Sequence, residues 1–285
     1  MEKWFTAYKI PVGQWGKQFF DFLTTWLDWF FDGVSTGISA ALEALITALL
    51  WPPPLVVVAL FTALAWFLHR SIAITAGVAV GLAYILNQGL WKETIETLAL
   101  VIGSAAVAMG IGVPVGIAAA HREWLFKLLR PVLDLMQTLP TFVYLIPALV
   151  LFGLGLAPGL ICTVVFAIPA PIRLTHLGIT SVPKQLIEAG EAFGATKRQL
   201  LWKVELPAAW PSIMAGLTQC IMLCLSMVVI AALIGANGLG KPVVRALNTV
   251  NIPMGIEAGL AIVVLAIILD RVCRIGEAPG AGERK

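Results

Sequence analysis

Two long stretches of this chain carry no charge at all. Between Asp134 and Arg173 the only ionisable groups are Tyr144 and Cys162, and no Asp, Glu, Lys or Arg lies between Glu205 and Lys241. Each stretch is long enough for a membrane-spanning helix, which needs about 20 apolar residues. The composition agrees, with 12% charged residues where a soluble domain carries about 25%. The fold class is therefore all-α, a polytopic membrane protein. Apolar runs place about seven spans, at 51–68, 72–90, 95–119, 138–154, 158–176, 211–235 and 255–272.

Orientation follows from where the cations fall. With the carboxyl terminus inside the cell, the inner side holds Arg70, Arg122, Lys127, Arg130, Arg173, Lys184, Lys197, Arg198, Lys203, Arg271, Arg274, Arg284 and Lys285. The outer side holds Lys3, Lys9, Lys17, Lys92, Lys241 and Arg245. That assigns 13 of the 19 cations to the inside and the remaining 6 to the outside, so the amino terminus is expected outside and the tail 273–285 in the cytoplasm.

Ahead of the first span, Asp21, Thr25, Asp28 and Asp32 oppose Phe19, Leu23, Trp26 and Phe30, the pattern of an amphipathic helix. A second such helix is expected from Ile38, Leu42, Leu45 and Leu49 opposing Ser35, Ser39, Glu43 and Thr47. Segment 1–50 is thus read as interfacial, lying along the outer membrane surface or packing against the spans, with 34–50 as a span the alternative that Glu43 in mid-membrane makes costly; it is read as retained, since Asp21, Asp28 and Asp32 interrupt its apolar cluster. Residues 51–90 are accessory spans, and 91–272 form the transmembrane core.

The longest cytoplasmic loop, 181–207, reads as two short helices. Ser181 caps the first, with Pro183 in its opening turn, and Gly194 ends it in the left-handed conformation. Thr196 and Gln199 form a capping box for the second, which Pro207 limits. On the first helix Lys184, Glu188 and Glu191 make a polar face, while Leu186, Ala189 or Gly190, and Phe193 face protein.

Several patterns carry no chemistry. Cys162, Cys220, Cys224 and Cys273 read as packing residues without metal-ligand company. His69, His121 and His176 are dispersed at cytoplasmic boundaries. Gly235 to Lys241 imitates a phosphate loop, but Pro242 stands where a hydroxyl is required. Gly110 to Gly116 reads as close helix packing or a kink. No catalytic residue, metal site or nucleic-acid surface is read from the chain, whose net charge is only +3.

Glu188-Ala189-Gly190, Gly194 four positions on, and Leu206-Pro207 thirteen further resemble the cytoplasmic loop signature of ABC importer permeases. Gly190 and Val204 depart from that pattern, where Ala and Ile are usual. The resemblance, over about 90–272, implies the type I importer fold. It further implies a homodimer bound to two ATPase subunits and served by an external solute-binding protein. ATP and magnesium would be held by the ATPases, with no cofactor in this chain. By the same resemblance Glu188, Ala189, Gly190, Glu191, Gly194 and Pro207 form the ATPase-coupling loop.

Met136 to Thr141 and Ile234 to Gly240 look like segments of permeases for glycine betaine, proline betaine, choline and related solutes, in a bacterial inner membrane. Methionine permeases share some of that character. Spans four to six offer only neutral groups, among them Thr138, Tyr144, Gln219 and Asn237, which suggest a weakly selective path. An ion-coupled secondary transporter would instead show an intramembrane carboxylate or paired broken helices.

Overall fold

A computed structural model describes residues 11–273. Lys3, Lys9, Arg274, Arg284 and Lys285, counted above, lie outside the described residues. Those described form helices joined by short turns, with no strand among them.

The amino-terminal segment departs from the expectation of two helices. α1 (Val12–Leu50) is one helix of 39 residues, starting after Pro11 and ending at the Trp51 to Pro54 segment. The reason is phase: Asp21, Thr25, Asp28, Asp32, Ser35, Ser39 and Glu43 follow one another at steps of three or four, so the two polar stripes are one. The second half packs against other helices, one of the two placements its pattern allowed. Leu42 is buried over Gly103, Phe31 meets Phe152 edge-on at 5.3 Å, and Ser35 Oγ donates to Phe152 O at 3.3 Å. By length and apolar content α1 can itself cross a membrane, and Glu43 stays exposed on its outer face.

α2 (Pro54–His69) and α3 (Ile72–Asn87) are apolar helices of 16 residues each. At 1.5 Å per residue each spans about 24 Å, short of a hydrocarbon layer of about 30 Å. They pack on each other and, through Gly81 against Val264, on the last helix.

The centre is built by α4 (Trp91–Ala120), α7 (Leu156–Ala167), α8 (Pro169–Thr180) and α11 (Leu206–Ala232). Apolar side chains gain nothing by leaving lipid for one another, so close backbone approach must hold such helices together. Here α8 lies between α4 and α11. A Cβ at Gly112 would stand 2.8 Å from Pro171 Cγ, one at Gly116 2.7 Å from Thr175 Cβ, and one at Gly178 2.8 Å from Ser212 Cβ. Within the glycine-rich stretch 110–116, Gly112 and Gly116 are helix-packing surface, as the apolar setting implied, while Gly110 meets nothing within 4 Å.

α5 (Glu123–Thr138) and α6 (Thr141–Phe152) replace the expected straight span over 138–154. They meet at an angle of 98°, because Pro140 supplies no N–H and holds Leu139 extended. Asp134 and Arg173, the charges bounding the first uncharged stretch, pair across α5 and α8 at 2.6 Å. α12 (Gly240–Thr249) and α13 (Ile252–Cys273) complete the chain, α13 packing on α11 and on α2 and α3.

Candidate functional site: the α8–α11 loop and the α4–α12 cavity

Between α8 and α11 the loop folds as α9 (Lys184–Ala192), α10 (Lys197–Leu200) and a wide π turn over Leu201–Glu205. Three features of its start and end differ from expectation. Ser181 closes α8, and α9 begins after Pro183 with no side-chain cap. Pro207 does not stop the second helix. The π turn shifts the hydrogen-bond register, with Leu206 N–H reaching Leu201 O, so Pro207 falls in the first turn of α11, where a missing N–H is tolerated. Phe193, expected to face protein, is 93% exposed, and Leu186 is half exposed. The inward positions are Ile187 and Gly190.

The end of α9 forms as its sequence predicts. Gly194 takes φ +75°, its N–H donates to Glu191 O at 2.9 Å, and Ala195 N–H donates to Gly190 O at 3.1 Å. This paired closure satisfies the last carbonyls of the helix. The Thr196 box is also present, with Gln199 N–H on Thr196 Oγ1 at 3.3 Å and Thr196 N–H on Gln199 Oε1 at 2.8 Å. Removing the cap with Thr196→Ala is expected to cost about 1 kcal/mol. Amide exchange across 197–200 should accelerate about fivefold, read by hydrogen-deuterium exchange.

Gly190 sets the seat of α9. A Cβ there would stand 2.6 Å from Leu200 Cδ1 and 3.7 Å from Val204 Cγ2. Leu200 Cδ1, the free end of a flexible side chain, thus occupies the space that the family's usual alanine would take. With Gly190 turned inward, Glu188, Ala189 and Glu191 remain exposed. The loop therefore presents two carboxylates, a small residue and the Phe193 ring on one short rigid helix.

A contact that sequence reasoning missed ties this loop to α4. His121 Nε2 lies 2.9 Å from Glu205 Oε2, whose side chain is only 8% exposed, while Nδ1 lies 2.9 Å from Ile117 O. His121 and Glu205 are 84 positions apart, and no local pattern joins them.

The four residues assigned to the path are spread over three places. Thr138 stands at the α5–α6 bend, and Tyr144 donates its hydroxyl to Met136 O across the same bend. Gln219 is exposed on α11. Asn237 follows α11 and accepts from Lys241 Nζ. No side-chain hydrogen bond among the described residues links these three places.

Asn237 does line a cavity of about 610 Å³ between the start of α4 and α12. Its walls include Lys92, Glu93, Glu96, Lys241 and Arg245. The phosphate-loop imitation forms one rim as a structural turn: Gly238 takes φ +127°, and Leu239 N–H donates to Thr97 Oγ1 at 2.8 Å. Glu96 is a buried carboxylate near the start of α4, in the third expected span.

Comparison with known proteins places this architecture among transporters. Residues 112–276 match the family described as "Binding-protein-dependent transport system inner membrane component". The match covers more than half of the chain, and the chain belongs to that family. Within it, the chain is 45% identical over 265 residues to the glycine betaine transport system permease protein OpuAB of Bacillus subtilis, covering 93% of each. It is 42% identical over 269 residues to the glycine betaine/proline betaine permease protein ProW of Escherichia coli, covering 92% of this chain and 74% of that one. Among solved structures, an inward-facing conformation of the MetNI methionine ABC transporter matches with a TM-score of 0.57 at 25% identity, over 67% of this chain and 95% of that one. The type I importer fold is therefore the fold of this chain, and its relatives are membrane-embedded transport permease subunits.

Proposed function

We propose that this chain is the membrane conduit of an ATP-driven importer for glycine betaine or a related quaternary amine, such as proline betaine, choline or carnitine. The observation that carries the reading is identity of 45% over nearly the whole chain to a glycine betaine permease. The likeness to a methionine transporter is 25% identical over two thirds of it. The methionine reading is correspondingly weaker.

In this proposal two copies of the chain form the passage, two ATPase subunits bind and hydrolyse ATP with magnesium, and an external protein delivers the solute. The amino terminus is outside the bacterial cytoplasmic membrane and the carboxyl terminus inside, as the cation bias suggests. α9 is then the coupling helix: Glu188, Ala189, Glu191 and the Gly194 turn meet the ATPase, Gly190 seats the helix, and Pro207 starts the span that it moves. Thr138, Tyr144, Gln219 and Asn237 belong to the path. A rigid helix seated on the π turn can transmit displacement into α11 and, through His121, into α4.

Purification with the ATPase and reconstitution with the binding protein test this reading. Glycine betaine should be taken up, and should stimulate ATP hydrolysis, in vesicles containing the complete system. Stimulation by methionine and not by any betaine would reassign the solute, and failure to bind an ATPase would remove the importer reading.

A further inference from the structure

The cavity between α4 and α12 is lined by charges of both signs, Glu93 and Glu96 against Lys92, Lys241 and Arg245. On the α4 side, Glu96 is buried, with its side chain 10% exposed, and its one ion-pair neighbour among the described residues is Lys92 Nζ at 4.0 Å. No hydrogen bond to its carboxylate is found among those residues. A carboxylate removed from water and left so weakly paired is costly, and a cation in the adjoining space would offset that cost. On the α12 side, Lys241 and Arg245 are four positions apart and share one face of the helix. Lys241 spends one of its three donors on Asn237 Oδ1. Arg245 has no carboxylate partner among the described residues.

We propose that this cavity is a weak binding station for a small zwitterion, with its quaternary ammonium beside Glu96 and its carboxylate beside Arg245 and Lys241. The proposal rests on the solute class proposed above. A quaternary ammonium has no N–H to donate, so it asks for charge and room, and a carboxylate facing open volume supplies both. The carboxylate of the same solute needs donors, and the α12 side supplies a guanidinium and an ammonium group. No Trp, Tyr or Phe among the described residues lines the cavity, so none of these supplies an aromatic cage to tighten the hold. A conduit requires this: a site attractive enough to enter and weak enough to leave. With the amino terminus outside, the cavity lies at the external mouth, where delivered solute first meets the chain.

The test uses the complete reconstituted transporter, with Cys273→Ser to silence the one native thiol that is not buried. Asn248→Cys, on the cavity wall, is labelled with a trimethylammonium-bearing methanethiosulfonate, whose sulfenyl sulfur joins the thiolate as methanesulfinate leaves. Glycine betaine at twice its dissociation constant should slow labelling about threefold, and equal sodium chloride should not. Glu96→Gln should abolish that protection. Lys241→Gln with Arg245→Gln should abolish protection by glycine betaine and preserve protection by choline, which has no carboxylate.

Normal uptake without protection overturns the station and leaves the solute class standing. Protection without uptake keeps the station and overturns the transport reading. Absence of both removes the solute class and the station with it. If the substitutions leave protection intact and weaken the binding protein's affinity about tenfold, the charges serve protein docking and the station is overturned.

Discussion

Glu188→Lys and Gly194→Val are each expected to abolish solute-stimulated ATP hydrolysis while leaving the helical bundle folded. Glu188 is exposed and makes no ion pair among the described residues. Reversing its charge therefore changes the chain's own stability by no more than about 0.5 kcal/mol. At a desolvated protein contact the same reversal costs about 2–5 kcal/mol, a loss of thirtyfold or more in binding. Gly194 acts through the backbone. Its φ of +75° is strained for a β-branched residue by about 1–3 kcal/mol. Valine would open the closure at Gly190 and Glu191 and let the end of α9 drift. Because nothing lies within 4 Å of a Cβ at Gly194, the expected defect is conformational and local. The measurements are ATPase stimulation by loaded binding protein and recovery of the ATPase with the purified permease. Full stimulation in both variants would sink the assignment of α9 as the coupling helix.

Phe193 sharpens this expectation. Read from sequence, it belongs to the inward face because it is apolar and one turn beyond Ala189. The structure instead ends the regular helix at Ala192, and the turn at Gly194 swings the ring into solvent. Periodicity says which residues share a face only while the helix lasts. A lone exposed aromatic beside two carboxylates has the composition of an interface anchor, so Phe193→Ala belongs in the same assay.

What was legible in the sequence follows the same physical division. The charge-free stretches and the Gly194 and Thr196 turn signals depend on neighbours in sequence, and α9 and α10 form where those signals put them. Pro140 is different. It stands inside an apolar run, and hydropathy alone carries a span straight through it, although a missing N–H and an extended Leu139 turn the chain by 98°. The division of α1 into two helices was an error of phase that steps of three and four residues could have corrected. Glu96 and the His121–Glu205 pair were beyond reach for another reason. Their meaning lies in what other helices bring beside them.

The second large effect is expected at Gly116. A Cβ there would lie 2.7 Å from Thr175 Cβ and 2.8 Å from Ile172 O. Neither obstacle is the free end of a flexible side chain, and α8 cannot retreat, because Gly178 already meets Ala209 and Ser212 of α11 on its other side. Gly116→Leu must therefore separate α4 from α8. Overpacking of this kind costs about 1–3 kcal/mol, which for a chain of this size lowers Tm by roughly 2–12 °C. Recovery of monodisperse protein from detergent should fall with it. Gly110→Leu is the control within the same helix, since a Cβ at Gly110 meets nothing within 4 Å, and its Tm should stay near that of the parent. Equal losses at the two positions would mean that the penalty comes from leucine in α4 generally. A loss confined to Gly116 would locate the strength of this bundle in the close approach of α4 to α8.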